Sequence, residues 1–145
     1  DGGDVVKNRV VGKRVARIGI RDKVTGHARY AADLEVENAL ILKVFRSPVA
    51  HGYVKSVDTQ KAASLKGVAR VFTAEDIPGE NLYGIINRDQ TVLASEKVRF
   101  VGDPIALVAA ETEEIAEAAL RAIKVEIAAL PALFDPEEAM APDAP

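Results

Sequence analysis

The 145-residue sequence contains no cysteine, only two histidines, and aromatic residues at 5% of its length. Without cysteine, thiol catalysis and cysteine-ligated zinc or iron–sulfur centres are excluded within this chain. No apolar run approaches the roughly 18 residues that a membrane-spanning helix needs, because charged residues interrupt every hydrophobic stretch. We therefore expect no membrane span. We also expect a cytoplasmic location, although the absence of cysteine fits both oxidising and reducing compartments.

The first half of the chain has few acidic residues, and the second half has few basic ones. Residues 1–70 carry 14 basic and 7 acidic side chains, whereas residues 71–145 carry 5 and 15, for a net charge of -3 overall. In the basic region, residues 7–29, only Asp22 opposes eight lysines and arginines. Such a region could hold a nucleic acid or an acidic protein. Because no stacking aromatics are interleaved with the basic residues, we exclude nucleic acid and prefer a solvated or docking face.

Hydrophobic periodicity predicts two main helices among five or six strands, which indicates an α+β (mixed α/β) fold with a mixed sheet. Residues 14–33 are expected to form an extended arm with weak strand character. Residues 79–92 are expected to be irregular. Strands are predicted at residues 39–46, 53–58, 68–73, 97–101, 105–110 and 125–127, and helices at residues 59–65 and 112–123.

The helix predicted at residues 112–123 has the clearest pattern. Its apolar residues recur at helical spacing on one stripe, which we expect to pack on the sheet. Acidic residues near its start and basic residues near its end suit the helix dipole. The stripe consists of Ile115, Ala118, Ala119, Ala122 and Ile123.

Residue types that could carry chemistry do not form a convincing site. Ser47, His51 and Asp58 include the types of a catalytic triad, but no nucleophile elbow or oxyanion-hole motif accompanies them. A metal site would need His27 together with His51 and recruited carboxylates. Paired acids point in different directions and indicate solvated surface: Glu75/Asp76, Glu113/Glu114 and Glu137/Glu138. We therefore assign no catalytic, cofactor-binding or metal-ligating residue to this chain.

Several segments in order resemble one protein family. The sequence is similar to the N-terminal domain of the molybdopterin-binding large subunit of the xanthine dehydrogenase and aldehyde oxidase family. Coverage runs from about residue 12 to residue 140. The segments that carry the resemblance are residues 23–33 (KVTGHARYAAD), 46–51 (RSPVAH), 57–59 (VDT), 67–68 (GV), 72–78 (FTAEDIP), 92–94 (VLA), 97–104 (KVRFVGDP) and 130–132 (LPA).

The resemblance implies an α/β hammerhead fold and a noncatalytic framing role. It implies a parent oxidoreductase that hydroxylates an aldehyde or N-heterocycle with water-derived oxygen. That parent is expected to use molybdopterin, with iron–sulfur clusters and often FAD in partner domains or subunits. We expect residues 1–11 to form an extended N-terminal segment, residues 12–140 the hammerhead domain, and residues 141–145 the start of a linker to downstream molybdopterin-binding domains.

Two turns are the predicted contacts with those neighbouring domains. Turns at strand ends can present fixed polar groups to a docking partner. The alternative is a free-standing protein-interaction module with the same fold that uses the basic region, residues 7–29. A small autonomous enzyme is disfavoured because no site converges. The predicted interdomain docking residues are Arg46, Ser47, His51, Gly102 and Asp103.

Overall fold

The computed structural model of the chain describes residues 10–144. These residues fall into two compact units, divided between Glu37 and Asn38. Most of the predicted N-terminal segment, with Lys7 and Arg9 of the basic region, lies outside the described residues. The boundaries predicted at residues 12 and 140 stay predictions. Among residues 10–144, no helix is long and apolar enough to cross a membrane.

The first unit contains two short helical segments. Helix α1 spans Ile20–Val24, and a 3-10 turn spans Ala31–Asp33. The prediction of an extended arm with strand character over residues 14–33 is wrong, because residues 10–37 contain no strand. Gly19 and Gly26 adopt φ values of 73° and 74°, in the left-handed region that glycine tolerates. They bend the chain on either side of α1, so an alternating strand cannot continue through it.

In the second unit, helices and short strands alternate along residues 38–144. The strands are β1 (Ile41–Arg46), β2 (Gly52–Asp58), β3 (Val68–Phe72), β4 (Leu82–Tyr83), β5 (Gln90–Thr91), β6 (Lys97–Val98), β7 (Pro104–Ala110) and β8 (Lys124–Ala129). The helices are α2 (Gln60–Ala63), α3 (Glu113–Ala122) and α4 (Pro136–Ala139), with a 3-10 turn at Ala74–Asp76.

The strands pair antiparallel in three small sheets. Their orders are β1-β7-β3, β6-β2-β8 and β4-β5. The predicted α+β class is confirmed, but small antiparallel sheets replace the expected mixed sheet. Of the two predicted main helices, α3 is long and α2 is a single turn. Strand direction was misjudged because spatial neighbours such as β1 and β7 come from distant parts of the sequence.

The core lies on both sides of β7, whose sequence PIALVAA is almost entirely buried. Small side chains from β7, α2 and α3 let the helices approach the sheet closely. Phe45, Val57 and Val125 contact both buried clusters, so they join them into one core. The larger cluster contains Ala62, Ala106, Val108, Ala110, Ala116, Ala119 and Ile123, and the smaller contains Ala94, Val98 and Ile105.

Helix α3 follows its predicted pattern. The Thr112 hydroxyl accepts a hydrogen bond from the Ile115 backbone N–H at 3.3 Å, which caps the first turn. Ala119 and Ile123 of the predicted stripe are buried, and the other three stripe residues are half-buried. Ala116 is also buried and was not in the predicted stripe. The amphipathic interpretation of α3 is therefore confirmed.

Candidate docking surface

Two turns lie side by side where β1 ends and β7 begins. The Ser47 backbone N–H donates to the Asp103 carbonyl at 2.9 Å, and the Gly102 N–H donates to the Ser47 carbonyl at 2.8 Å. The Arg46 guanidinium donates from Nη1 to the Gly102 carbonyl at 2.9 Å. Gly102 has a φ of 98°, which a residue with a side chain rarely adopts. The structure thus brings four of the five predicted docking residues together.

The Asp103 carboxylate organises the second turn from inside. Asp103 is only 3% exposed, and its Oδ2 accepts a hydrogen bond from the Arg99 backbone N–H at 3.0 Å. Its own N–H donates to the Phe100 carbonyl at 3.2 Å. These two bonds close a turn that leaves Phe100 and Val101 exposed at its apex.

Ser47 shapes the first turn in the same way. It is 2% exposed, and its hydroxyl donates to the Val49 carbonyl at 2.8 Å while accepting from the Val49 N–H at 3.1 Å. A buried hydroxyl without such partners would be costly. Within this chain, Ser47 and Asp103 therefore hold the two turns, and direct docking through them stays a prediction.

His51 belongs to the start of β2 rather than to the turn pair. Its Nδ1 lies 2.5 Å from the Pro131 carbonyl oxygen, which can only accept, so Nδ1 carries the proton. The Leu130 N–H donates in turn to the His51 carbonyl at 2.9 Å. These bonds fasten residues 130–131 to the start of β2. They also place residues 132–134 beside the Asp103 turn, where His51 and Phe100 line one depression.

We define the Phe100 face as residues 99–101 together with residues 132–134. This face surrounds an open depression with a volume of about 480 Å³. Phe100, Val101 and Phe134 are exposed apolar side chains on this face. The depression is lined by Ala50, His51, Lys97, Arg99, Phe100, Val101, Ala132, Leu133 and Phe134. These side chains are apolar or basic, and no carboxylate is among them.

A second depression continues the Phe100 face toward β4 and β5. Its volume is about 500 Å³, and Arg99 and Phe100 line it as well as the first depression. Tyr83 and Asp89 line its other wall. Arg99 makes no ion pair with a carboxylate among the described residues. Its guanidinium makes one long hydrogen bond, from Nη1 to the Lys97 carbonyl at 3.4 Å, and its remaining donors can reach a partner. Arginine beside aromatic residues is typical of interface centres.

The candidate catalytic residues are used locally. The Ser47 hydroxyl bonds to Val49, His51 to Pro131, and an Asp58 carboxylate oxygen to the Gln60 N–H at 3.0 Å. No proton relay connects these three side chains. No group of three or more histidine and acidic side chains gathers in the described residues as a metal site would require.

The paired acids also have local structural roles. The Thr73 backbone N–H, followed by the Arg70 guanidinium, lowers the pKa of Asp76. At the start of α3, the backbone N–H of Glu114 and the Thr112 hydroxyl lower the pKa of Glu114. A general acid needs a pKa raised toward neutrality, so these shifts have the opposite direction. The two carboxylates serve a 3-10 turn and a helix start.

The sequence analysis did not predict the exposure of the apolar residues Phe100, Val101, Ile85 and Ile86. Phe100 and Val101 were assigned to an alternating strand over residues 97–101, but β6 ends at Val98. The available signal was two apolar residues directly before the Gly102 turn. Ile85 and Ile86 lie in the predicted irregular stretch, where two adjacent branched residues have no periodicity that would place them in a core.

Comparison with known proteins identifies relatives over most of the sequence. Residues 25–131 match the family described as aldehyde oxidase and xanthine dehydrogenase, a/b hammerhead domain. A probable xanthine dehydrogenase component of Bacillus subtilis is 50% identical over 124 residues, which cover 86% of this chain and 17% of that protein. The nicotinate dehydrogenase large molybdopterin subunit of Eubacterium barkeri is 40% identical, with coverage of 94% and 32%.

Solved structures agree with the sequence matches. The aldehyde oxidoreductase of Desulfovibrio desulfuricans has a TM-score of 0.84 and 34% identity, and the match covers 94% of this chain and 16% of that one. A Cu,Mo-containing CO dehydrogenase has a TM-score of 0.84 and 36% identity, with coverage of 92% and 17%. The chain therefore spans a minor part of each of these relatives.

Proposed function

Because the chain belongs to the aldehyde oxidase and xanthine dehydrogenase family, as its a/b hammerhead domain, we propose that it is a noncatalytic packing domain of a molybdenum hydroxylase large subunit. The Phe100 face is the observation that carries this role. Phe100 and Val101 stand on the turn that the buried Asp103 carboxylate closes. The hydrogen bond between His51 and the Pro131 carbonyl fastens the segment that leads to Phe134. A rigid apolar surface with a polar rim is suited to docking.

The parent activity is part of the proposal. We infer hydroxylation of an aldehyde or N-heterocycle with oxygen from water, with electrons passing to iron–sulfur clusters and, as often in this family, to a flavin. Relatives include a nicotinate dehydrogenase large molybdopterin subunit and an aldehyde oxidoreductase, whose names support this chemistry. A cytoplasmic location is proposed on the family resemblance alone. The comparisons do not support the free-standing alternative, because the relatives named above are several times longer than this chain.

The residues of this chain do not fit a molybdopterin site. A pterin pyrophosphate needs several convergent polar donors. Among residues 10–144, every buried polar side-chain atom already has a hydrogen-bond partner within the chain. We therefore place cofactor binding in other domains of the parent and derive no catalytic step from this chain.

Docking on the Phe100 face can be tested in the complete large subunit. The double substitution Phe100→Ser/Val101→Ser removes apolar area that is exposed in the isolated chain and buried in the proposed interface. We expect the melting temperature of the complete subunit to fall, by less for each kcal/mol of docking energy lost than in a small domain, because the subunit is several times longer than this chain. Bound molybdenum should fall with it, because the cofactor domains lose a packing neighbour.

Controls separate docking from folding. The isolated 145-residue chain carrying the same two substitutions should keep its stability within about 0.5 kcal/mol, since both side chains are exposed there. Leu42→Ser, at a similarly exposed residue of β1, measures the general effect of losing an exposed apolar side chain. Unchanged melting and unchanged molybdenum content in the double variant would refute the docking role.

Substitutions of the predicted docking residues have to be interpreted differently from those of the Phe100 face. Arg46→Ala removes an exposed guanidinium that bonds to the Gly102 carbonyl, so an effect in the complete subunit that is absent in the isolated chain supports docking. Asp103→Ala removes a buried carboxylate that the Arg99 N–H requires. We expect it to destabilise the isolated chain by about 1–3 kcal/mol. Of these two substitutions, Arg46→Ala is therefore the one that tests the interface directly.

A further inference from the structure

A short hairpin projects from the second unit between residues 82 and 91. Strands β4 and β5 pair Leu82 with Thr91 and Tyr83 with Gln90, and residues 84–89 form the tip. Two pairs of residues are too few to hold a hairpin in water by themselves. Other bonds must therefore fix this 82–91 hairpin to the domain.

Asn81 provides those bonds at the base of the hairpin. Its side-chain Nδ2 donates to the Leu93 carbonyl at 2.6 Å, and its Oδ1 accepts from the Leu93 N–H at 3.0 Å. Its backbone carbonyl accepts from the Val92 N–H at 3.3 Å. Leu93 is 3% exposed and anchored in the domain. The Asn81 amide thus acts as one further residue of the ladder and clamps both legs of the hairpin.

The tip presents two isoleucines to solvent. Ile85 is fully exposed and Ile86 is 93% exposed, a rare arrangement for adjacent branched apolar residues. At Gly84 a Cβ atom would lie 1.7 Å from the Asn87 carbonyl oxygen, so only glycine permits this tight tip. The tip is therefore built to display Ile85 and Ile86 in a fixed conformation, which lowers the entropy lost on binding.

We propose that Ile85 and Ile86 insert into an apolar socket on another domain of the same large subunit. This inference rests on the proposed function and adds a second, separate contact to it. The first four residues of the tip, residues 84–87, carry no charge. Arg88 and Asp89 complete the tip, and Arg88 pairs with Glu80 at 2.9 Å. An uncharged, branched apolar pair matches an apolar socket and not an acidic or basic surface.

The position of the hairpin indicates which partner reaches it. Tyr83 and Asp89 of the hairpin line the same depression as Arg99 and Phe100. A domain that covers the Phe100 face therefore also meets the hairpin. This chain makes up 17% of its Bacillus subtilis relative, so most of such a subunit lies outside it and is available to supply the socket.

Cysteine labelling tests the socket directly. The chain has no cysteine, so Ile85→Cys gives it a single thiol at the tip. We would measure the rate of maleimide labelling at position 85, resolved by peptide mass spectrometry, in the isolated chain and in the complete native large subunit. We expect labelling at least tenfold slower in the complete subunit, and recovery of the fast rate when that subunit is unfolded in urea. Equally fast labelling in both native proteins would overturn the socket.

A substitution gives the second readout. Ile85→Ser/Ile86→Ser should lower the melting temperature of the complete subunit and leave that of the isolated chain unchanged, since both side chains are exposed there. Arg88→Ser, at an exposed polar residue of the same tip, is the matched control and should leave both unchanged. A complete subunit that melts as the unsubstituted protein does would contradict the proposal.

The outcomes distinguish this inference from the proposed function. If Phe100→Ser/Val101→Ser destabilises the complete subunit while position 85 labels rapidly, the packing role stands and the socket is wrong. If the isolated chain forms dimers that Ile85→Ser/Ile86→Ser abolishes, the occupant is a second copy of this chain and the socket is again wrong. If both double variants are neutral in the complete subunit, the packing role fails together with the socket.

Discussion

Gly67 shows how one residue controls the junction between β3 and α3. Its φ is 86°, and a Cβ atom there would lie 2.6 Å from Ile115 Cδ1 of α3. The Gly67 carbonyl also accepts a hydrogen bond from the Glu111 N–H at 2.9 Å, so the turn cannot move aside freely. The backbone conformation therefore requires glycine at this position, and a Cβ atom there would also force the end of the Ile115 side chain to shift.

Replacing Gly67 tests this requirement. Gly67→Ala should lower the free energy of unfolding by roughly 1–3 kcal/mol, from left-handed strain and from contact with Ile115. Gly79→Ala is the matched control, because Gly79 has an ordinary φ and nothing within 4 Å of its Cβ position. It should stay within about 0.5 kcal/mol of the unsubstituted protein in urea titrations. Equal effects of the two substitutions would contradict the assignment.

At the scale of single residues, the sequence predicted where the turns lie but not which of their side chains are buried. Ser47 beside Pro48 and Gly102-Asp103-Pro104 marked chain reversals correctly. The Asp103 carboxylate points inward and accepts a hydrogen bond from the Arg99 N–H. This orientation depends on the backbone hydrogen bond between the Asp103 turn and Ser47, 56 positions away in the sequence. Such pairing is a tertiary property, and a composition of polar turn residues indicates solvent exposure by default. The inward carboxylate was therefore not predictable from local sequence.

Helix α3 is fastened to strand β1 by a charged cluster. Lys43 Nζ lies 2.6 Å from Glu113 Oε1 and 3.0 Å from Glu117 Oε1. Hydrogen bonds to Glu113 and then Glu117 raise the pKa of Lys43 above its usual 10.5, and the Lys43 ammonium lowers the pKa of Glu117 below its usual 4.5. Arg121 adds a longer contact to Glu117 at 3.7 Å.

These shifts fix the pH window of the cluster. A lowered carboxyl pKa gives stability that is complete above pH 4.5 and is lost as pH falls through the folded-state value of Glu117. A raised amine pKa gives stability that is complete below pH 10.5 and is lost as pH rises through the folded-state value of Lys43. The cluster therefore stabilises the fold between these limits, and added salt weakens it because the groups are partly exposed.

Lys43→Met tests the acid side of this window. Without the ammonium, Glu117 returns toward its usual pKa, so the urea midpoint should fall less between about pH 5 and about pH 3 than it does in the unsubstituted chain. Lys66→Met, which removes an exposed lysine in no ion pair of the described residues, controls for net charge. Identical acid slopes in the two variants would show that Lys43 does not stabilise Glu117.

Elements with strong periodicity were predicted well and short ones were not. β7 and α3 were found because six apolar residues in a row, residues 105–110, and a helical stripe are specific patterns. The 82–91 hairpin was missed because two-residue strands have no period, and it is held by the Asn81 side chain instead. In the first unit, two glycines with positive φ override the crude alternation of residues 14–20.

At the scale of the whole molecule, the isolated chain should not catalyse the parent reaction. Among residues 10–144, no group of three or more histidine and acidic side chains gathers as a metal site would require, and the buried polar side-chain atoms are satisfied internally. Incubation of the purified chain with aldehydes or purines and an artificial electron acceptor should therefore give no turnover. If turnover co-elutes with the purified chain on a final column, the noncatalytic packing role is wrong and the chain must contain a catalytic site of its own.

The central place of β7 has a consequence for how the chain is made. Its partners β1 and β3 are both synthesised first: Ile41 and Val68 each align with Ala110, and Phe72 aligns with Leu107. Once β1 and β3 have left the exit tunnel of the ribosome and β7 has not, both strands have open edges, a state prone to aggregation. The emergence of β7 closes both edges at once, so a nascent chain that exposes β1 and β3 without β7 is the species that most needs a chaperone.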